Sequence, residues 1–183
     1  SRSFLFKSRA NIANVPTESN LQLSVTVFLH HQEEYLFVLR NSTKKVDAKR
    51  LNGVGGKVEL GENFLQTALR ETREETGYQV TAEQMRFAGL AVLRGGYPQN
   101  WLAAFFTASV DSKQIPIGNQ NHEGKLLWIH QDELLSSPYE LVDDLHYLWP
   151  IIIAQKEELF FTANLNEQEK VADYSLNLLP LSK

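Results

Sequence analysis

The chain has 183 residues, and 18 Lys and Arg against 22 Asp and Glu leave a net charge of −4, so no overall basic field draws it toward polymeric DNA or RNA. Its hydrophobic fraction of 43% suffices for the core of one ordinary domain, and the absence of cysteine excludes disulfides, thiolate metal sites and thiol nucleophiles. That absence also fits a reducing, cytoplasmic setting, and the longest apolar candidate, around Ile151-Ile152-Ile153, falls far short of the roughly 20 residues that span a bilayer.

Residues 1–20 show no clear period and close on the polar Pro16-Thr17-Glu18-Ser19-Asn20 cluster, which predicts a lead-in segment ahead of a single domain over 21–183. The basic start lacks the apolar core of a secretory signal. Leu21 to Leu29 and Tyr35 to Leu39 are β-branched and apolar around the polar His30-His31-Gln32-Glu33-Glu34, the pattern of a β-hairpin. Arg40 to Arg50, with Lys44, Lys45 and Lys49, reads as a basic loop, and four glycines between Gly53 and Gly61 mark a glycine-rich loop. A helix over Asn63 to Thr76 follows, capped by Asn63 at its start and by a left-handed Gly77 at its end. Phe87 to Leu93, Trp101 to Val110 and Leu126 to His130 read as strands, and Asp132 to Ser136 as one helical turn. Val142 to Glu158 predicts a second helix that Pro150 would kink or restart, before a closing strand pair at Phe160 to Leu165 and Val171 to Leu178. The fold class is α/β, a mixed sheet sandwiched between helices.

On the first helix, Glu71, Glu74 and Glu75 share one arc of the helical wheel, apart from the stripe of Leu65, Leu69, Thr72 and Thr76. Like charges at these spacings repel, and a hard divalent cation relieves the repulsion. Taken alone, such a triplet also reads as a solvated acidic face. The five histidines include no helical pair spaced for zinc, and Trp101 and Trp128, within predicted strands, read as core residues.

The triplet belongs to a longer pattern: Gly56, five residues, Glu62, seven residues, then Arg70-Glu71-Thr72-Arg73-Glu74-Glu75-Thr76-Gly77-Tyr78. This resembles the box of the Nudix hydrolases, with Thr72 at a position that family usually fills with an aliphatic residue. The resemblance implies a loop-helix-loop that uses Mg²⁺ or Mn²⁺ to cleave a nucleoside diphosphate linked to another group. By position, Glu74 and Glu75 match principal metal ligands, Glu71 a ligand or general base, and Arg70 the residue that orients them. Gly56 matches a backbone carbonyl ligand, Glu62 a brace for the loop, and Glu123 an additional metal-binding or basic carboxylate, with a surface loop residue as the alternative.

Leu51-Asn52-Gly53-Val54-Gly55-Gly56-Lys57-Val58 is similar to the corresponding stretch of the MutT-like branch, particularly the oxidised purine nucleoside triphosphate diphosphatases. That resemblance implies a substrate site of Asn52, Lys57, Asp143 and Asp144, with Asn52 and the acid pair on the purine edge; the pair also suits a helix N-terminus. A stacking Trp of that branch is replaced by Leu141 or its neighbour Tyr139. The implied reaction converts a nucleoside triphosphate, such as 8-oxo-dGTP, to the monophosphate and pyrophosphate. Rival expectations are a nucleotide sugar, dinucleotide or pterin triphosphate as substrate, or a catalytically silent nucleotide-binding domain. A nucleotide is the expected partner; neither polymeric nucleic acid nor membrane is expected, and the oligomeric state is left open.

Overall fold

A computed structural model describes residues 21–181, so the expected lead-in over 1–20 lies outside the described residues. Strands β1 (Leu21–His31) and β2 (Glu34–Arg40) form the expected hairpin, with Gln32 in the left-handed region at φ 55° making the turn. The hairpin is joined only near its tip, at His30↔Tyr35 and His31↔Glu34, and then its strands part. Two short strands fill the fork, where the sequence reads as basic and glycine-rich loops. β3 (Arg50–Asn52) pairs with β2, and β4 (Val54–Lys57) pairs with β1 from Val27↔Val54 to Ser24↔Lys57. The glycines have a different cause from the one expected of a loop. A Cβ on Gly55 would lie 2.0 Å from the Val25 carbonyl oxygen, so only glycine lets β4 lie so close to β1.

Helix α1 (Phe64–Thr76) follows as predicted: Asn63 Oδ1 accepts the Gln66 N–H, Gln66 returns a bond to the Asn63 N–H, and Gly77 closes the end at φ 79°. After a single 3-10 turn at Ala82–Gln84 come β5 (Arg86–Arg94), β6 (Asn100–Ser109) and β7 (Gly124–His130). A second 3-10 turn at Leu134–Ser136 and β8 (Glu140–Leu141) lead to α2 (Leu145–Ala154), and β9 (Glu157–Leu165) and β10 (Val171–Pro180) end the chain. α2 is shorter at both ends than its hydrophobic run predicts. Val142, Asp143 and Asp144 form the approach, Gln155 turns left-handed at φ 51°, and Pro150 sits inside the helix without starting a new one.

The described strands form one mixed sheet, in which β1 runs parallel to β6 from Leu21↔Asn100 to His30↔Ser109 and β5 parallel to β9. Alternation along the strands sorts the core to two faces. Val25, Val27, Leu29, Leu36, Val38, Ala104 and Phe106 pack with Ala68 of α1, while Phe28, Tyr35, Phe37 and Phe105 pack with Leu145, Leu148 and Trp149 of α2. Trp149 anchors α2: its ring lies 4.8 Å from Tyr35 and 5.4 Å from Phe37, and its indole N–H reaches the Gln131 carbonyl at 2.9 Å. Trp128, partly buried, packs against the core on the α1 face as expected, whereas Trp101, also partly buried, joins neither core cluster. Among the described residues no helix is long and apolar enough to cross a membrane.

Candidate active site

The fork of the hairpin places the glycine strand β4 against α1, and the acidic residues meet along that seam. Arg70 organises them. Its Nε donates to Glu62 Oε1 at 2.7 Å, one terminal nitrogen to Glu71 Oε1 at 2.8 Å and Glu74 Oε2 at 3.2 Å, and the other to Glu62 Oε2 at 3.0 Å and the Lys57 carbonyl at 3.2 Å. Glu62 also accepts the Thr67 hydroxyl at 2.7 Å, so the loop after β4 is tied to the helix through one carboxylate. These bonds hold Glu62 down to about 2, those from Arg70 first and from Thr67 second. Gly56 makes room for Glu71, since a Cβ there would stand 2.3 Å from Glu71 Oε1.

The three helical glutamates do not share one environment, and the acidic arc is not separate from the buried stripe. Glu74 is exposed at its side chain, whereas Glu75 retains 4% exposure among Thr72, Thr76 and the β4 backbone. Glu75 Oε2 accepts the Gly55 N–H at 3.3 Å. Burial, then the charges of Glu71 and Glu123, push its carboxyl up to about 8, and burial likewise raises Glu71 above its ordinary value. Glu123 arrives from the turn before β7 with its side chain mostly covered, and its electrostatic reach includes both helical acids.

Two cations that sequence reasoning left in a solvated basic stretch meet Glu123: Arg40 at 3.2 Å and Lys44 at 3.1 Å. Only the strand order brings them there, because β7 pairs with β2 and sets Gly124 beside Arg40. Glu123 Oε2 is buried and is held by the Arg40 ion pair alone, without a hydrogen bond. Desolvated carboxylates gathered beside the β4 backbone are the donor type that a hard cation prefers. Among the described residues no three acid or histidine side chains converge closely enough to hold a metal ion by themselves, so water or substrate phosphates would have to complete its coordination.

The expected substrate residues divide. Asn52 lies on β3 beside buried Leu51, and its Oδ1 accepts the Gly53 N–H at 2.8 Å, leaving its amide NH₂ for another partner. Lys57, at the end of β4, holds its ammonium 5.8 Å from the centre of the Trp101 ring. Asp143 is committed to structure: Oδ2 accepts the Val171 N–H at 2.7 Å and Lys170 lies 3.6 Å from Oδ1. Asp144 is buried at 8% exposure, and burial first, then Asp47, push it up to about 7. Asp47, which sequence reasoning passed over, accepts the Tyr97 hydroxyl at 2.6 Å. Leu141 is in the core, and Tyr139 faces a groove lined by Lys49 and Lys125, so neither takes the place of the missing stacking ring beside the acid pair.

The model of the NUDIX domain family matches residues 20–149, which include every box residue. The chain belongs to the Nudix family. This Nudix domain is 30% identical over 86 residues to the uncharacterised Nudix hydrolase YvcI of Bacillus subtilis, a match covering 46% of this chain and 53% of that protein. The chain thus spans about half the length of that curated relative. Among solved structures it resembles a MutT protein of Bacillus halodurans, with a TM-score of 0.72 at 22% identity over 86% of this chain and 98% of the other. The NUDIX domain of Shewanella oneidensis NrtR, solved with ADP ribose, aligns with a TM-score of 0.58 at 18% identity, covering 79% of this chain and 94% of its own. At these identities the likeness establishes the fold.

Proposed function

We propose that residues 21–183 act as one Nudix unit that hydrolyses a phosphoanhydride bond of a nucleoside diphosphate derivative, with Mg²⁺ or Mn²⁺ held by Glu71, Glu74, Glu75, Glu123 and the Gly56 carbonyl. The observation that carries this reading is Glu75, a carboxylate buried at 4% exposure with one weak amide partner, whose charge is opposed by those of Glu71 and Glu123. A bound divalent ion there supplies positive charge to the phosphate oxygens and lowers the pKa of the attacking water. Arg70 fixes Glu71 by Oε1 and leaves Oε2 to act as ligand or to accept the proton of that water. Glu62 and Thr67 keep Arg70 in place, so the carboxylates are positioned before substrate arrives. The absence of cysteine is compatible with work in the cytoplasm.

For the substrate, a purine nucleoside triphosphate cleaved to monophosphate and pyrophosphate, with 8-oxo-dGTP as the leading case, rests on Asn52 and Asp144. An amide with spare N–H groups and a buried acid that is partly protonated near neutral pH can together match a purine edge. ADP-ribose is the second reading, favoured by the ligand of the Shewanella domain. Product analysis with 8-oxo-dGTP, dGTP, dATP and ADP-ribose separates them. Turnover is expected to require the metal and to fall by orders of magnitude in Glu75→Gln; chelator-resistant turnover would overturn the metal assignment. Asn52→Ala and Asp144→Asn are expected to raise KM for the purine triphosphate by about 5- to 150-fold, the effect of losing one buried polar contact.

A further inference from the structure

A groove of about 490 Å³ opens between the β2–β3 segment and β7, lined among others by Arg40, Asn41, Ser42, Lys49, Lys125 and Tyr139. Its electrostatics run against those of the molecule, whose net charge is −4. The one acid in its lining, Glu140, is already engaged by Arg50 at 3.2 Å and Lys170 at 2.9 Å. Among the described residues the Lys49 and Lys125 ammoniums have no hydrogen-bond or ion-pair partner. They therefore leave uncompensated positive charge in a concave surface that also offers a hydroxyl from Ser42.

The inner end of the groove meets the acid face through two of its own residues. Arg40 is ion-paired to Glu123, and the Asn41 N–H donates to the Glu123 carbonyl at 2.9 Å. Glu123 in turn acts electrostatically on Glu71 and Glu75. A chain of phosphates whose scissile bond lies over the acids could extend past Glu123 into this groove, where point charges such as lysine ammoniums suit phosphate oxygens.

We propose that this groove is a phosphoryl-binding subsite that takes the anionic end of the substrate beyond the cleaved bond. The inference rests on the hydrolase reading above, but the binding arm of its test does not. Inorganic tripolyphosphate titrated calorimetrically in chelator into the full chain should bind the wild type and Glu75→Gln alike. The Lys49→Gln/Lys125→Gln double variant should bind it about tenfold or more weakly with a shallower salt dependence, its melting temperature unchanged. A control change at Lys156, between α2 and β9, should have no effect. In the metal-loaded wild type, tripolyphosphate should compete with a nucleoside triphosphate, raising its KM without lowering kcat. Equal binding by wild type and double variant, no binding at all, or non-competitive inhibition would each overturn the subsite. Lysine-dependent binding in a chain that cleaves no nucleotide would leave a phosphoryl-binding groove but reject the hydrolase reading and with it the groove's role beyond a cleaved bond, whereas nucleotide cleavage with lysine-independent binding would reject the subsite alone.

Discussion

Thr72 occupies the box position where an aliphatic side chain is expected, and the structure gives it a fully buried hydroxyl with no partner. A desolvated, unpaired hydroxyl is a net cost, and valine has nearly the same shape without it. Thr72→Val should raise stability by about 1 kcal/mol and the melting temperature by about 2 to 4 °C with activity retained, as read by urea denaturation and calorimetry. Adjacent glycines should fail in different ways. An alanine at Gly55 meets the fixed Val25 carbonyl, so Gly55→Ala should unfold or strongly destabilise the chain. An alanine at Gly56 meets the movable end of Glu71, so Gly56→Ala should keep its melting temperature to within a few degrees and lose most of its turnover. Melts and rates of the two variants side by side check the contrast. The box residues were legible because their order is written in the sequence; the burial of Glu75 beside the exposed Glu74 was not, because it depends on how closely β4 approaches α1.

At the scale of elements, α1 was readable to its ends because both caps are local: Asn63 and Gln66 exchange bonds three residues apart, and Gly77 follows the last turn. Asn63→Ala should therefore cost about 1 kcal/mol in chemical denaturation, with no change in metal dependence. Strands β3 and β4 were hidden because they are only three and four residues long and hold weak strand formers, Asn52 in β3 and Gly55, Gly56 and Lys57 in β4, so that only the partners on β2 and β1 make those segments extended. The length of α2 was overestimated for a related reason. Its apolar run continues into β9, where Leu159 and Phe161 fill the same core, and the switch of period falls at the left-handed Gln155. Arg40 and Lys44 looked solvated because their partner, Glu123, lies across a strand pair from β2.

For the whole molecule, stability in the absence of metal should depend on pH with a defined sign. Burial first, with neighbouring acids second, places Glu75 at about 8 and Asp144 at about 7, both above an ordinary carboxyl near about 4. The folded chain thus retains protons that the unfolded chain has released, and this contribution is full below about pH 4 and lost as pH rises through 7 and 8. Glu62 acts in the opposite direction, but only as pH falls toward its value of about 2. Melting temperatures in chelator should fall from pH 5 to pH 8.5, and Glu75→Gln or Asp144→Asn should each flatten the slope; a flat or rising wild-type profile would contradict the burial of these acids. The parted hairpin also bears on how the chain is made. β1 is finished long before its parallel neighbour β6 exists, since Leu21 must lie beside Asn100, and until then β2 grips only its tip and β4 only Ser24 to Val27 along the other edge. During synthesis the first strand must wait, apolar and with one edge open, until more than half of the 183 residues have been made. Refolding should accordingly be slow, on the order of milliseconds to seconds, and the nascent chain should be most prone to aggregate before residue 109 emerges.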